Sequence, residues 1–471
     1  MEKADVLHVA VFPWLAMGHL IPFMQLSNRL AQKGHRVSFI STPRNIDRLP
    51  KIPSHLSPLF NLVSLPLPHV DGLPDRAESS ADVPFHKQNL LKRAFDLLYS
   101  QVAAFLEDSR PDWIIYDYAS HWLPQLAARN GVSRAFFSLF HAAFMSFLGP
   151  PEALIDGGSR STAEDFTMVP KWVPFHSNIV YRLHEIAKNV ESLSANESGT
   201  PDTVRFATVI AESDVVAIRT SAEFEPGWLN LMMELYRIPV LPVGFLPPEL
   251  RDGEEEEDGK WVYMKQWLDK QGVNSVVYVA LGTEVTLTQQ EVNELALGLE
   301  QSQLPFFWVL RNPSESTQIE FPTGFEDRVK GHGIVHVGWA PQAKILSHNS
   351  IGGFLTHCGW NSVIEALCFG RVLILLPFLN DQGINARLLH EKKLGVEIAR
   401  NERDGSFTRD SIAESVRIAM VDHSGDSLRG TTKEMKGLFG DMERNDHLVD
   451  GFIRFLLENR FSTTKHINSL I

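Results

Sequence analysis

The sequence predicts an α/β chain of two domains, each a parallel sheet covered by helices on both faces. Apolar runs of strand length alternate with helical patterns over most of the chain, which is what fully buried parallel strands require. The alternation breaks near the middle, at "LPPELRDGEEEEDGK" (246–260), where a Pro-Pro pair and consecutive glutamates can neither pack nor pair. At 471 residues the chain is about three times a typical domain.

In order, the first domain shows a strand at "VLHVAVF" (6–12), a helix from about Leu20 to Lys33, and strands at "RVSFIS" (36–41) and "DWIIYD" (112–117). Residues 154–202 are weakly periodic and rich in Ser, Gly and Asn, and read as a long loop region. Beyond the break come "SVVYVAL" (275–281), a helix through 289–301, "FFWVLR" (306–311), "GIVHVGW" (333–339), "IGGFLT" (351–356) and "VLILLP" (372–377). After about residue 408 the chain reads as helical. The expected division is therefore 1–245, a linker region at 246–260, a second domain at 261–445, and a last segment, 446–471, whose helix crosses back onto the first domain.

A net charge of -13 argues against nucleic acid or an anionic membrane surface as partner. Only Cys358 and Cys368 are present, without metal-ligand spacing, which fits a reducing compartment. Glu2 and Asp5 oppose a signal peptide, Pro13, His19 and Pro22 interrupt its apolar core, and no run is long enough to span a membrane. A cytoplasmic protein is expected, and the sequon at Asn196–Ser198 reads as chance.

The strand "IGGFLT" runs into "THCGWNSVIEA" (356–366), a corner rich in polar and aromatic residues. In open α/β sheets ligands bind beyond the carboxyl ends of strands, where helix N-termini present free N–H groups and a positive dipole end. Gly359 allows close backbone approach, Asn361 and Ser362 offer N–H and side-chain donors, and His357 adds another, so a diphosphate fits. Against this, "SVIE" (362–365) matches a capping box, in which Ser362 and Glu365 only satisfy the helix start. A lone His357 or Trp360 is commonly structural.

In the first domain "FPWLAMGHLIPF" (12–23) occupies the strand-to-helix turn where a dinucleotide fold carries G-x-G-x-x-G, but only Gly18 is there, so a nicotinamide cofactor is disfavoured. His19 falls at the helix start, where the dipole is expected to lower its pKa and keep it a neutral base. Asp117 ends "DWIIYD" at a carboxyl edge and is placed to orient that histidine. Taken singly, such residues are most often caps and turns.

The stretch "WAPQAKILSHNSIGGFLTHCGWNSVIEALCFGRVLILLPFLNDQ", Trp339 to Gln382, resembles the signature box of the plant family-one UDP-dependent glycosyltransferases that act on secondary products. The resemblance implies the GT-B architecture, two Rossmann-like domains facing each other across a cleft. It implies that Trp339 stacks on uracil with Ala340 and Gln342 beside it, that His357, Asn361 and Ser362 meet the diphosphate, and that Glu365 holds the ribose. Trp360, Asp381 and Gln382 would surround the donor sugar. Asp381 stands where many members carry glutamate, and "ALGT" (280–283) replaces the usual Phe-Gly-Ser turn, although Gly282 and Thr283 can still serve phosphate. His19 and Asp117 match the family's base and its partner.

The implied reaction is displacement with inversion: His19 deprotonates an acceptor hydroxyl, Asp117 supports the imidazolium, and UDP leaves. No Asp-x-Asp motif is present, so no metal and no cofactor beyond the UDP-sugar is expected. "STPRNIDRLP" (41–50), "LPLPHVDGLP" (65–74) and "YVALGTEV" (278–285) resemble the branch that extends the sugar of an existing glycoside, with flavonoid, terpenoid or steroid glycosides as acceptors. UDP-glucose is favoured through Gln382, with UDP-rhamnose next. Transfer to aglycones, a non-catalytic glycoside-binding protein and a nucleotide-dependent oxidoreductase remain as alternatives.

Overall fold

The computed structural model describes residues 6–155, 160, 162–187, 197–250, 259–310 and 319–460. The first domain holds a seven-stranded sheet of β1 (His8–Phe12), β2 (Arg36–Ser41), β3 (Phe60–Ser64), β4 (Trp113–Tyr116), β5 (Ser133–Ser138), β6 (Val215–Ile218) and β7 (Val240–Pro242). Its order is β3-β2-β1-β4-β5-β6-β7, and every pairing is parallel. The second holds β8 (Val276–Ala280), β9 (Phe306–Leu310), β10 (Gly333–Val337), β11 (Ile351–Thr356), β12 (Val372–Leu375) and β13 (Gly395–Glu397) in the order β10-β9-β8-β11-β12-β13, again all parallel. The central strands are buried along their whole length, as in "WIIY" and "VVYVA", because helices cover both faces.

Each sheet reverses its winding once, between β1 and β4 in the first and between β8 and β11 in the second. Loops leaving the two strands on either side of such a reversal diverge to opposite faces and open a crevice at the carboxyl edge. The two domains set these crevices against each other, which is the GT-B arrangement.

The helix Met442–Glu458 buries Val449, Phe452 and Leu456 among core residues of β1 and β4, and Trp113 Nε1 donates to the Leu456 carbonyl at 2.9 Å. Lys33 and Asp450 pair at 2.6 Å on the same face. Of the expected linker, residues 251–258 lie outside the described residues, as do 461–471 of the last segment, Asn196 of the sequon, and 156–159, 161 and 188–196 of the expected loop region.

Two helices begin earlier than the sequence predicts, and both shifts affect the site. The helix Met17–Gln32 starts directly after Ala16, so His19 lies inside its first turn. The helix Trp360–Cys368 is capped by Gly359 without any side-chain hydrogen bond, so the capping-box reading of Ser362 and Glu365 is overturned. Those side chains are freed for other partners.

Candidate active site

The four strands flanking the two reversals deliver the central residues. His19 follows β1 and Asp117 follows β4, while Gly282 and Thr283 follow β8 and His357 follows β11. They converge on a cavity of about 940 Å³ between the domains, lined by every predicted site residue except Asp117, which is buried beneath His19.

Asp117 is 1% exposed, and its carboxylate accepts hydrogen bonds from three sides. Oδ1 takes the Tyr118 N–H at 2.7 Å, and Oδ2 takes the Trp14 N–H at 3.1 Å and His19 Nδ1 at 2.7 Å. An acceptor-only carboxylate at Nδ1 places the proton there, which leaves Nε2 as the basic nitrogen. The expectation of a lowered pKa is corrected here. Burial does work against the cation, but the charge and hydrogen bond of Asp117, with Glu284 and Asp381 adding to them, leave the pKa of His19 raised above 6.5. The carboxylates, Asp117 first, outweigh burial.

On the opposite wall Trp339 stands 56% exposed, an unusual position for an indole, with its carbonyl 3.0 Å from His336 Nε2. Beyond the nearly buried Ala340, Gln342 opens a short helix and donates through Nε2 to Ser362 Oγ at 3.1 Å and Glu365 Oε2 at 2.8 Å. Burial raises the Glu365 carboxyl despite that bond.

His357 makes no hydrogen bond among the described residues, and burial lowers its pKa to about 4, so the ring is neutral at ordinary pH. It is wedged between two glycines: a Cβ on Gly282 or on Gly359 would lie 2.5 Å from its Nε2. Gly282 also sits at φ +76°, where a side chain would be strained.

Two predicted donor-site residues line the cavity with side chains that are engaged between the domains. The side chain of Asn361 was expected to face phosphate, but its Nδ2 donates to the Gly18 carbonyl at 2.6 Å and its Oδ1 accepts from Arg219. The indole of Trp360 was expected near the donor sugar; it is 4% exposed, packs on His141 and Phe439, and donates to the Arg219 carbonyl at 3.1 Å. These two side chains tie the second domain to the first, and the backbone of both stands in the first helical turn. Asp381 and Gln382 keep free groups. Gln382 Oε1 accepts from the Phe378 and Leu379 N–H groups, both at 2.9 Å, which fixes the amide and turns its NH₂ outward as a donor. Asp381 Oδ2 accepts from Asn385 Nδ2 at 2.7 Å, and burial raises its carboxyl.

Several residues that shape the site were not found from sequence. Asn385 Oδ1 meets His141 Nε2 at 2.7 Å, so Asp381 is braced through Asn385 by a fully buried histidine of the first domain. Arg219, its pKa lowered by burial to about 9, binds the Phe245 carbonyl as well as Asn361. Arg219 follows "VVAI" at a strand's carboxyl end, as Asp117 follows "WIIY", and that shared pattern was the available signal. Ser80 and Glu284 are joined across the cleft at 2.6 Å. Among the described residues no cluster of His, Cys, Asp and Glu is arranged to hold a metal ion, and no helix is long and apolar enough to cross a membrane.

A deep interdomain cavity with a histidine–aspartate pair on one wall and an indole, a buried carboxylate and glycine-flanked helix starts on the other defines a nucleotide-dependent transferase. A sequence model of the family described as UDP-glucoronosyl and UDP-glucosyl transferase matches residues 254–424. The chain is 58% identical to UDP-glycosyltransferase 91C1 of Arabidopsis thaliana over 97% of each chain. It is 34% identical to the anthocyanidin 3-O-glucoside 2''-O-glucosyltransferase of Ipomoea nil over 96% of this chain and 98% of that one. Among solved structures it superposes with a TM-score of 0.76 on the UGT2 of Phytolacca americana complexed with UDP-2-fluoro-glucose and pterostilbene, at 25% identity over 96% of this chain and 100% of that one. The protein belongs to the UDP-glycosyltransferase family and is a transferase of the plant family-one type.

Proposed function

We propose that the protein transfers a sugar from a UDP-sugar, with inversion, to a sugar hydroxyl of a plant flavonoid, terpenoid or steroid glycoside, with glucose favoured and rhamnose next as donor. The observation that carries the mechanism is the His19–Asp117 pair, with the free Nε2 of His19 beside the cavity. His19 takes the proton of the acceptor hydroxyl, and Asp117 stabilises the imidazolium that forms. The oxygen attacks the anomeric carbon from the face opposite UDP, whose departing charge meets His357, Thr283 and the free N–H groups of the first turn of Trp360–Cys368, including those of Asn361 and Ser362.

Trp339 supplies the face for uracil, with Ala340 and Gln342 beneath, and Glu365 accepts from the ribose. Asp381 and the outward NH₂ of Gln382 form an acceptor–donor pair for hydroxyls of the transferred sugar, with Trp360 as a support below them. No step uses a metal or a further cofactor. We infer that 1–245 and 261–445 form the acceptor and donor domains, with 246–260 as linker and 446–471 as the segment returning to the first. A cytoplasmic location is supported by the two free, buried cysteines.

Support for a glycoside acceptor comes from the stretches 41–50, 65–74 and 278–285 and from the relative that extends a glucoside. Mass spectrometry after incubation with a panel of glycosides and their aglycones, separately with UDP-glucose and UDP-rhamnose, tests the reading. Addition of one hexose or deoxyhexose to a glycoside but not to its aglycone supports it and names the donor. Addition to aglycones alone leaves the mechanism standing and rejects the acceptor.

A further inference from the structure

We propose that Glu284 is a specificity-determining residue that accepts a hydrogen bond from a hydroxyl of the acceptor's own sugar, next to the hydroxyl that His19 deprotonates. The inference rests on the glycoside reading above. Glu284 follows Thr283 on the loop leaving β8, so the second domain carries it, yet its anchor lies in the first. Its Oε1 accepts from Ser80 Oγ at 2.6 Å; Ser80 is 4% exposed, and its N–H donates at 2.8 Å to the carbonyl of Leu15, in the loop that leads into His19. The carboxylate is thereby held against the catalytic loop by a contact that exists only when the domains meet. It makes no ion pair and no other hydrogen bond among the described residues, so Oε2 is free to accept.

Two neighbours show which part of the cavity Glu284 addresses. Its charge adds to the raised proton affinity of His19, and it contributes, after burial, Asp202 and Asp117, to that of Tyr118; Glu284, His19 and Tyr118 all line the same cavity. Tyr118 stacks on Phe206 at 4.7 Å, and Phe140 stacks on Phe144 at the same distance, so the surrounding wall is an aromatic surface for a flat or polycyclic aglycone. A half-buried carboxylate without a cationic partner is costly there and useless to an apolar ring system. It is suited to hydroxyl donors, which a sugar presents on adjacent carbons. A site that hydrogen-bonds a hydroxyl also discriminates strongly against acceptors lacking one. In the reaction itself the new bond joins the acceptor oxygen to the anomeric carbon, the bond from that carbon to UDP breaks with its electron pair leaving on UDP, and the proton goes to His19. Glu284 orients and takes no proton.

The test is a cycle of enzyme and substrate changes, read as kcat/KM for UDP release. The acceptors are a glucoside that the wild type extends and its monodeoxy analogues; the enzymes are the wild type, Glu284→Ala, Glu284→Gln and Ser80→Ala. Glu284→Ala is expected to lower kcat/KM on the parent glucoside by about 10–100-fold, in line with loss of a hydrogen bond to a charged group. Glu284→Gln, which keeps an acceptor oxygen, and Ser80→Ala, which only loosens the carboxylate, are expected to lose less. For one deoxy analogue the losses from deoxygenation and from Glu284→Ala should not multiply, because both remove the same bond. Full multiplication for every analogue that reacts, or Glu284→Ala equal to the wild type, overturns the role of Glu284 while leaving glycoside transfer intact. Absence of product from every glycoside with the wild type overturns both.

Discussion

His19 Nδ1 lies 2.7 Å from Asp117 Oδ2, although the two residues are 98 positions apart in sequence. They meet because β1 and β4 are neighbouring parallel strands that end in register, Phe12 opposite Tyr116, so the turn from β1 into the helix that carries His19 leaves the sheet beside Asp117. One strand pairing places both halves of the proton-transfer apparatus.

The raised pKa of His19 sets the direction of the pH dependence. A general base works in its neutral form, so kcat/KM for the acceptor should rise with pH through a midpoint above 6.5 and level off beyond it. A pH–rate profile with its midpoint at or below 6.5 would show that the carboxylates around His19 do not govern it.

Asp117→Asn tests the partner. Without the carboxylate, burial is left as the main influence, so the acid limb should move to lower pH while the plateau rate falls by about 10² or more through loss of imidazolium stabilisation. Both changes are read from one set of profiles. A lower plateau with an unmoved limb would mean that Asp117 only positions the ring.

Gly359→Ala should weaken UDP binding by about tenfold while the protein stays folded. The backbone at Gly359 is extended, with φ of −62°, and tolerates alanine, but the new Cβ would lie 2.5 Å from His357 Nε2 and must displace the ring. Calorimetric titration with UDP measures it. Wild-type affinity would remove His357 from the diphosphate site.

Trp339→Ala should weaken UDP by about 1–3 kcal/mol, the worth of one base stacked on an aromatic face. The indole is exposed at the cavity wall, so its removal leaves no void in the core. Unchanged binding would place the base elsewhere.

Much of the fold could be read from sequence because the central strands β1, β4, β8 and β11 are continuous apolar runs. The edge β10 was read at 333–339, but the edges β3, half exposed, and β7 and β13, of three residues each, were not, and neither were the interior strands β5 and β6. Within the site, the residue types of the donor box were legible, whereas the use of Asn361 and Trp360 was not. Their partners, Gly18 and Arg219, are 343 and 141 positions away, and only the meeting of the domains shows that those side chains are already engaged. His19 illustrates the same limit. The helix start beside it is visible in sequence, but Glu284 and Asp381, which add to the effect of Asp117 on its pKa, reach it from the other domain.

The most direct test of the account is the rate of UDP release by His19→Ala in the presence of UDP-glucose and an acceptor glycoside. Loss of the base should lower kcat by about 10²–10⁴-fold, with UDP affinity close to that of the wild type, since His19 acts on the acceptor side. Turnover undiminished by the substitution would contradict the assignment of His19 as the base, and with it the mechanism built on the His19–Asp117 pair.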